Sequence, residues 1–131
     1  MDFIFVGFDR EIDSSVRNSH PFDSMFLDEP NDETLRIKVI HYLEKGTFLT
    51  GAMSYIYDNE RLPIGNLDYY TDGFVIWPIY YLYYLKKYNN FLIDERLIEH
   101  ILNDISPNEK INDDVLKKAR KRFVDEWSGK Y

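Results

Sequence analysis

Apolar residues fall at helical spacing in several stretches of this chain and gather into short β-rich runs between them. Residues 3–8, FIFVGF, read as a strand with apolar side chains on both faces. Across 33–45, Leu35, Val39, Ile40, Tyr42 and Leu43 fall on one stripe, which predicts a helix. Asn31 or Asp32 caps it, and Gly46 stops it. TFLTGAMSYIYD (47–58) has the Thr, Tyr, Ile and Phe content of a strand, and Gly51 within it points to a bulge or a close backbone approach. Short strands are predicted at 66–70 and 74–77, joined by the Asp72-Gly73 turn. Three sequential strands with short links predict an antiparallel meander. Pro78 suits the first turn of a helix over 78–88. Asp94 caps a helix over 95–103 whose apolar face is Leu97, Ile98, Ile101 and Leu102. Asn112 starts the last helix, with Leu116, Ala119, Phe123 and Trp127 on one side. The expected fold is α+β: a small antiparallel sheet of three to four strands against three to four helices, in one domain.

Residues 9–33 break this order. They run polar and irregular, with Pro21 and Pro30 as punctuation. A connection of this length is commonly functional or disordered. Phe22, Met25, Phe26 and Leu27 are its expected anchors to the body.

Charge gives that segment a second meaning. The chain of 131 residues carries −7, and the excess is concentrated. Residues 1–33 hold nine acidic side chains (Asp2, Asp9, Glu11, Asp13, Asp23, Asp28, Glu29, Asp32 and Glu33) against Arg10 and Arg17. Such a field argues against binding a phosphate backbone and for a basic partner. The chain has no cysteine, which removes disulfides and thiolate metal sites and suits a reducing cytoplasm. MDFIFVGFD lacks a basic leader region, and no stretch approaches a membrane span.

Catalytic signals are sparse. His20, His41 and His100 have no metal-ligand spacing, and no cofactor is implied. No glycine-rich phosphate loop or nucleophile elbow is present. The carboxylates Asp58, Glu60, Asp68 and Asp72 lie at strand ends and turns, where a pair facing across a cleft would do acid–base work. The basic run Lys117–Arg122 is flanked by Asp113, Asp114, Asp125 and Glu126, which fits a solvated helix face better than a nucleic-acid site. TDGFVIWPIYYLYYLKKY (71–88) is dense in tyrosine but has only Lys86 and Lys87 beside it, so it reads as core rather than a base-stacking platform.

The order Thr71-Asp72-Gly73, then Val75, Ile76 and Trp77, then Leu82, Tyr84, Leu85 and Tyr88, then Leu97 to Ile101 resembles a pattern in small acidic bacterial immunity proteins. These belong to contact-dependent growth inhibition and other polymorphic toxin systems. The likeness spans roughly 66–101. Val75 replaces the first Trp of the pattern, and Asp94 replaces a Pro. The resemblance implies a cytoplasmic, non-enzymatic protein, a monomer or weak dimer, that binds and neutralises a cognate basic toxin domain such as a nuclease. It implies no nucleic-acid or membrane partner. The expected contact residues are Asp23, Asp28, Glu29, Asp32, Glu33, Asp58, Glu60, Asp68, Tyr70 and Asp72. Two competing readings are a small enzyme built on the loop carboxylates and a module that self-associates through its tyrosines.

Overall fold

The computed structural model describes residues 3–103 and 111–130; Asp2 of the acidic segment lies outside them. The fold is α+β. Its sheet has four strands in the order β1-β4-β3-β2: β1 (Ile4–Phe5), β2 (Thr47–Tyr57), β3 (Pro63–Thr71) and β4 (Val75–Pro78). Helices α1 (Glu33–Glu44), α2 (Ile79–Lys87), α3 (Glu95–Asn103) and α4 (Asp113–Trp127) surround it.

The meander is present: β2 pairs antiparallel with β3, and β3 with β4. The sheet as a whole is mixed, however, because β1 pairs parallel with β4, Ile4 opposite Val75 and Phe5 opposite Ile76. β1 is also far shorter than the apolar run 3–8. Gly7 adopts φ +74°, with the Tyr81 ring so close that a Cβ there would sit 2.1 Å from Cγ. The backbone therefore leaves strand geometry at Gly7, although Phe3, Phe5, Val6 and Phe8 are all buried.

Aromatic rows fill both faces of the sheet. Tyr70 is opposite Trp77 on β4 and Phe48 on β2, so these three share one face. Tyr69 points the other way, stacked on Phe8 at 6.1 Å and lying 4.4 Å from the Phe123 ring of α4. Pro78 ends β4 and caps α2 rather than entering its first turn. Phe74 lies outside β4 and is exposed, as are Leu102 and Trp127, which the helical stripes place with the core.

Residues 9–33 are ordered by contacts with the end of α2 and the chain after it. The amides of Leu27 and Asn31 donate to the carbonyls of Asn90 and Asn89, and the Leu92 amide donates to Met25. A 3₁₀ turn, Phe22–Met25, presents Phe22 to Tyr84 at 4.8 Å, and Phe26 meets Phe91 and Tyr88 edge-on. The four anchors named from sequence thus include a buried Met25 and two phenylalanines packed edge-on or tilted against neighbouring rings.

Two of the acidic side chains in this segment are buried. Asp13 accepts hydrogen bonds from the Tyr69 hydroxyl at 2.6 Å and the Tyr80 hydroxyl at 2.7 Å. The Asp9 amide donates to the same Tyr80 hydroxyl. Further along the chain, the buried Glu126 of α4 accepts from the Arg17 backbone and guanidinium and pairs with Arg122. The Asp13 and Glu126 carboxylates bind the segment to β3, α2 and α4, so they are no part of an acidic surface.

Candidate functional site

The ten residues expected to touch a partner separate into three groups. The first is committed to the fold. The Asp58 side chain is fully buried at the turn between β2 and β3. One oxygen accepts the Glu60 and Leu62 amides, which shapes the turn, and the other accepts Lys87 Nζ and the Tyr83 hydroxyl. Burial opposes ionisation here, but the bonds from Lys87, Tyr83 and the two amides outweigh it and hold the carboxyl well below the usual range. Glu60 pairs with the same ammonium at 2.6 Å. The two carboxylates converge on one cation instead of facing each other across a cleft, which is not an acid–base arrangement.

A pH experiment follows from this site. A carboxyl with a depressed folded pKa stabilises the fold above its unfolded value, near 3.8, and loses that contribution as pH falls through the folded value. Urea midpoints of Asp58→Asn are therefore expected to vary less below pH 4 than those of the wild type.

Asp72 belongs to the same group. Its Oδ1 accepts the Phe74 and Val75 amides and closes the β3–β4 turn. Its Oδ2 accepts from the Tyr42 hydroxyl of α1 and lies 2.7 Å from His100 Nε2 of α3. Local sequence carries no sign of this cluster, because its members come from three separate elements.

The second group is a surface strip. Asp23, Asp28, Glu29, Asp32 and Glu33 are all exposed. Asp32 caps α1 by accepting the Thr34 amide. Glu33 pairs with Arg36, whose guanidinium also donates to the carbonyls of Leu85 and Lys86. No Lys or Arg occurs between Arg17 and Arg36. The carboxylates stand on a backbone already fixed by its bonds to residues 89–92, so little ordering remains when a partner binds.

The third group lies on the sheet. Asp68 and Tyr70 are half-buried and share the face that carries Phe48 and Trp77. Beside Tyr70 an open groove of about 250 Å³ runs between the sheet and the helices, lined by Leu43, Trp77, Ile79 and Leu82. The Glu44–Lys86 ion pair lies along it. The Trp77 indole N–H has no hydrogen-bond partner among the described residues.

β2 forms one edge of this sheet, and its eleven residues include no charged side chain. Phe48, Met53, Tyr55 and Tyr57 are exposed along it, with Leu62 just beyond. Met53 is fully exposed and adopts φ +53°. The β2–β3 register shifts around it, between Gly51 and Tyr55. Edge strands commonly carry charges or prolines that discourage further pairing, and this one relies on its irregular register.

The tyrosine-rich helix is scaffold. Tyr80, Tyr81 and Tyr84 are buried. The hydroxyls of Tyr80, Tyr81 and Tyr83 reach Asp13, the Leu92 carbonyl and Asp58 in turn. Each therefore ties α2 to a distant segment.

No helix among the described residues is long and apolar enough to cross a membrane, and no cluster of potential metal ligands occurs among them. No family model, curated protein or solved structure matches the chain.

Proposed function

We propose that this protein is an immunity-type inhibitor that binds a basic toxin domain and neutralises it by covering its cationic surface. The observation that carries this reading is the strip Asp23, Asp28, Glu29, Asp32 and Glu33: five exposed carboxylates on an ordered backbone, with no Lys or Arg from position 18 to 35. A complementary field of this kind speeds encounter and selects partners of opposite charge. If the toxin is a nuclease, the strip occupies the Lys and Arg side chains that would otherwise hold phosphates. In this reading the protein acts in the cytoplasm, as a monomer or weak dimer, with no cofactor and no nucleic-acid contact of its own.

The test is the rate of association with a cationic toxin domain, sought by copurification from the source cell. The variant combines Asp23→Lys, Asp28→Lys and Glu29→Lys with Asp32→Asn, since asparagine caps a helix about as well as aspartate. Association is expected to slow by about tenfold or more, with a flatter dependence on salt. An unchanged rate and salt slope would remove the strip from the interface and with it the basis of this reading.

A further inference from the structure

Five of the ten large apolar side chains exposed among the described residues fall between positions 48 and 62: Phe48, Met53, Tyr55, Tyr57 and Leu62. The register shows how they gather. Phe48 lies opposite Tyr70 and Tyr55 opposite Asn66, so both stand on the face of the sheet that carries Trp77. The Tyr57 ring meets the Tyr55 ring at 5.4 Å and stands with it. The other face of β2 is covered, with Leu49 buried and its carbonyl accepting from Arg120 of α4. On the open face, Leu43 of α1 and Ile79 and Leu82 of α2 line the groove beside Tyr70 and Trp77. The outer strand stays bare, with Phe48, Tyr55 and Tyr57 each at least half exposed. Met53 projects from the bulge between them. Its backbone is left-handed at φ +53°, a strained conformation for an L residue, and its fully exposed side chain packs against nothing in the chain.

Charge decides which partner suits this face. The eleven residues of β2 carry none. The only charge on β3 is Asp68, half-buried and one strand in from the edge. The chain as a whole carries −7. Two copies therefore repel over most of their surface and meet here at the least electrostatic cost. A basic partner is drawn instead to the exposed carboxylates of residues 23–33. The area fits as well. Three half-exposed aromatic rings leave roughly 300 Å² uncovered, and Met53 and Leu62 add to it. That is comparable with the largest apolar patch of an ordinary monomer, about 300–600 Å², and with one copy's share of a small interface of under about 1,200 Å².

We propose that the aromatic face of β2 is a homodimer interface, in which two copies meet across a two-fold axis through Phe48, Met53, Tyr55 and Tyr57. A two-fold contact sets one patch against itself, which suits an uncharged patch and disfavours a charged one. The tyrosine rings stack while their hydroxyls hydrogen-bond across the axis. Met53 is an unbranched, polarisable side chain that adapts to the opposing rings. Backbone pairing has no part in the contact: three register shifts along β2 and the occupied Leu49 carbonyl interrupt the edge as a template. This surface is distinct from the acidic strip and does not depend on it.

Sedimentation velocity of the purified chain over about 5–500 µM tests the dimer, since a contact this small predicts a dissociation constant on the order of tens of micromolar. Raising salt from about 20 to about 500 mM is expected to tighten it severalfold by screening the repulsion between copies. Met53→Gly removes the exposed side chain and suits the left-handed backbone, so the urea midpoint is expected to hold while the dissociation constant rises about fivefold. Tyr55→Thr combined with Tyr57→Thr keeps strand-forming residues and net charge and is expected to raise it about tenfold or more. Phe74→Ser removes an exposed ring outside this face and is expected to leave it unchanged.

A sedimentation coefficient constant over the whole range, or a dimer that weakens with salt, would overturn the proposal. So would a dissociation constant unmoved by either β2 variant, or moved equally by Phe74→Ser. No toxin and no strip carboxylate enters this experiment, so its result stands apart from the association test on residues 23–32, and each can fail without the other.

Discussion

Asp13→Ala is expected to lower the stability of the fold by about 3–5 kcal/mol, because it leaves two buried phenol hydroxyls without an acceptor. Tyr69 and Tyr80 both donate to this carboxylate, and both are almost fully buried. They come from β3 and α2, while Asp13 belongs to the irregular N-terminal segment, so its loss detaches three parts of the structure from one another. Urea denaturation followed by tryptophan fluorescence measures the effect. Asp13→Asn preserves the shape and one acceptor oxygen and is expected to cost distinctly less.

The same carboxyl makes a pH prediction of opposite sign to that of Asp58. Burial raises its pKa above the ordinary 3.8, against the lowering effect of the tyrosine hydrogen bonds. The folded state therefore holds the proton more tightly than the unfolded chain does. The contribution is fully present below the unfolded value and is lost as pH rises through the folded one. Measured against Asp13→Asn, the wild type should gain relative stability on acidification. A difference that is flat with pH would show that Asp13 titrates alike in both states.

Gly7→Ala has an expected effect of similar size from a different source. The left-handed backbone at φ +74° costs any L side chain about 1–2 kcal/mol. In addition, the new methyl would lie 2.1 Å from Cγ of the fully buried Tyr81, whose hydroxyl donates to the Leu92 carbonyl. Overpacking of this kind adds about 1–3 kcal/mol, so the total is about 2–5 kcal/mol. Gly129→Ala separates the two causes. It has nearly the same φ, +75°, and nothing within 4 Å of the added Cβ. Its melting temperature should fall only by the conformational share. Equal losses in the two variants would mean that the Tyr81 ring yields freely.

Helices and meander are legible in the sequence because their signals are local: a capping Asp32, an Asp-Gly turn, a stripe from Leu35 to Leu43. β1 is not, because its length is set by Gly7 meeting a ring 74 positions away in sequence, and its parallel partner is fixed only once β4 exists. The acidic segment shows the same division. Its charge is plain in the sequence, yet nothing local distinguishes Asp13, which is buried beneath two tyrosines, from Asp28, which faces solvent. Asp58 and Asp72 read as surface carboxylates at turns and are in fact the hydrogen-bonded centres of those turns. Gly51 marks a close approach, as its place within a strand suggests. That a carboxylate from β3 makes the approach depends on the register, which no spacing rule supplies.

The parallel pairing of Ile4 and Phe5 with Val75 and Ile76 has a consequence for biosynthesis. The apolar run 3–8 is made before its partner strand, which follows about 70 residues later. At ordinary translation rates that is a delay of roughly 4–14 s. During that interval Phe3, Phe5, Val6 and Phe8 have no sheet to join, and Asp13 has neither of its tyrosines. The nascent chain is therefore expected to be a chaperone client until α2 emerges, and slowing elongation before Val75 should increase the fraction captured.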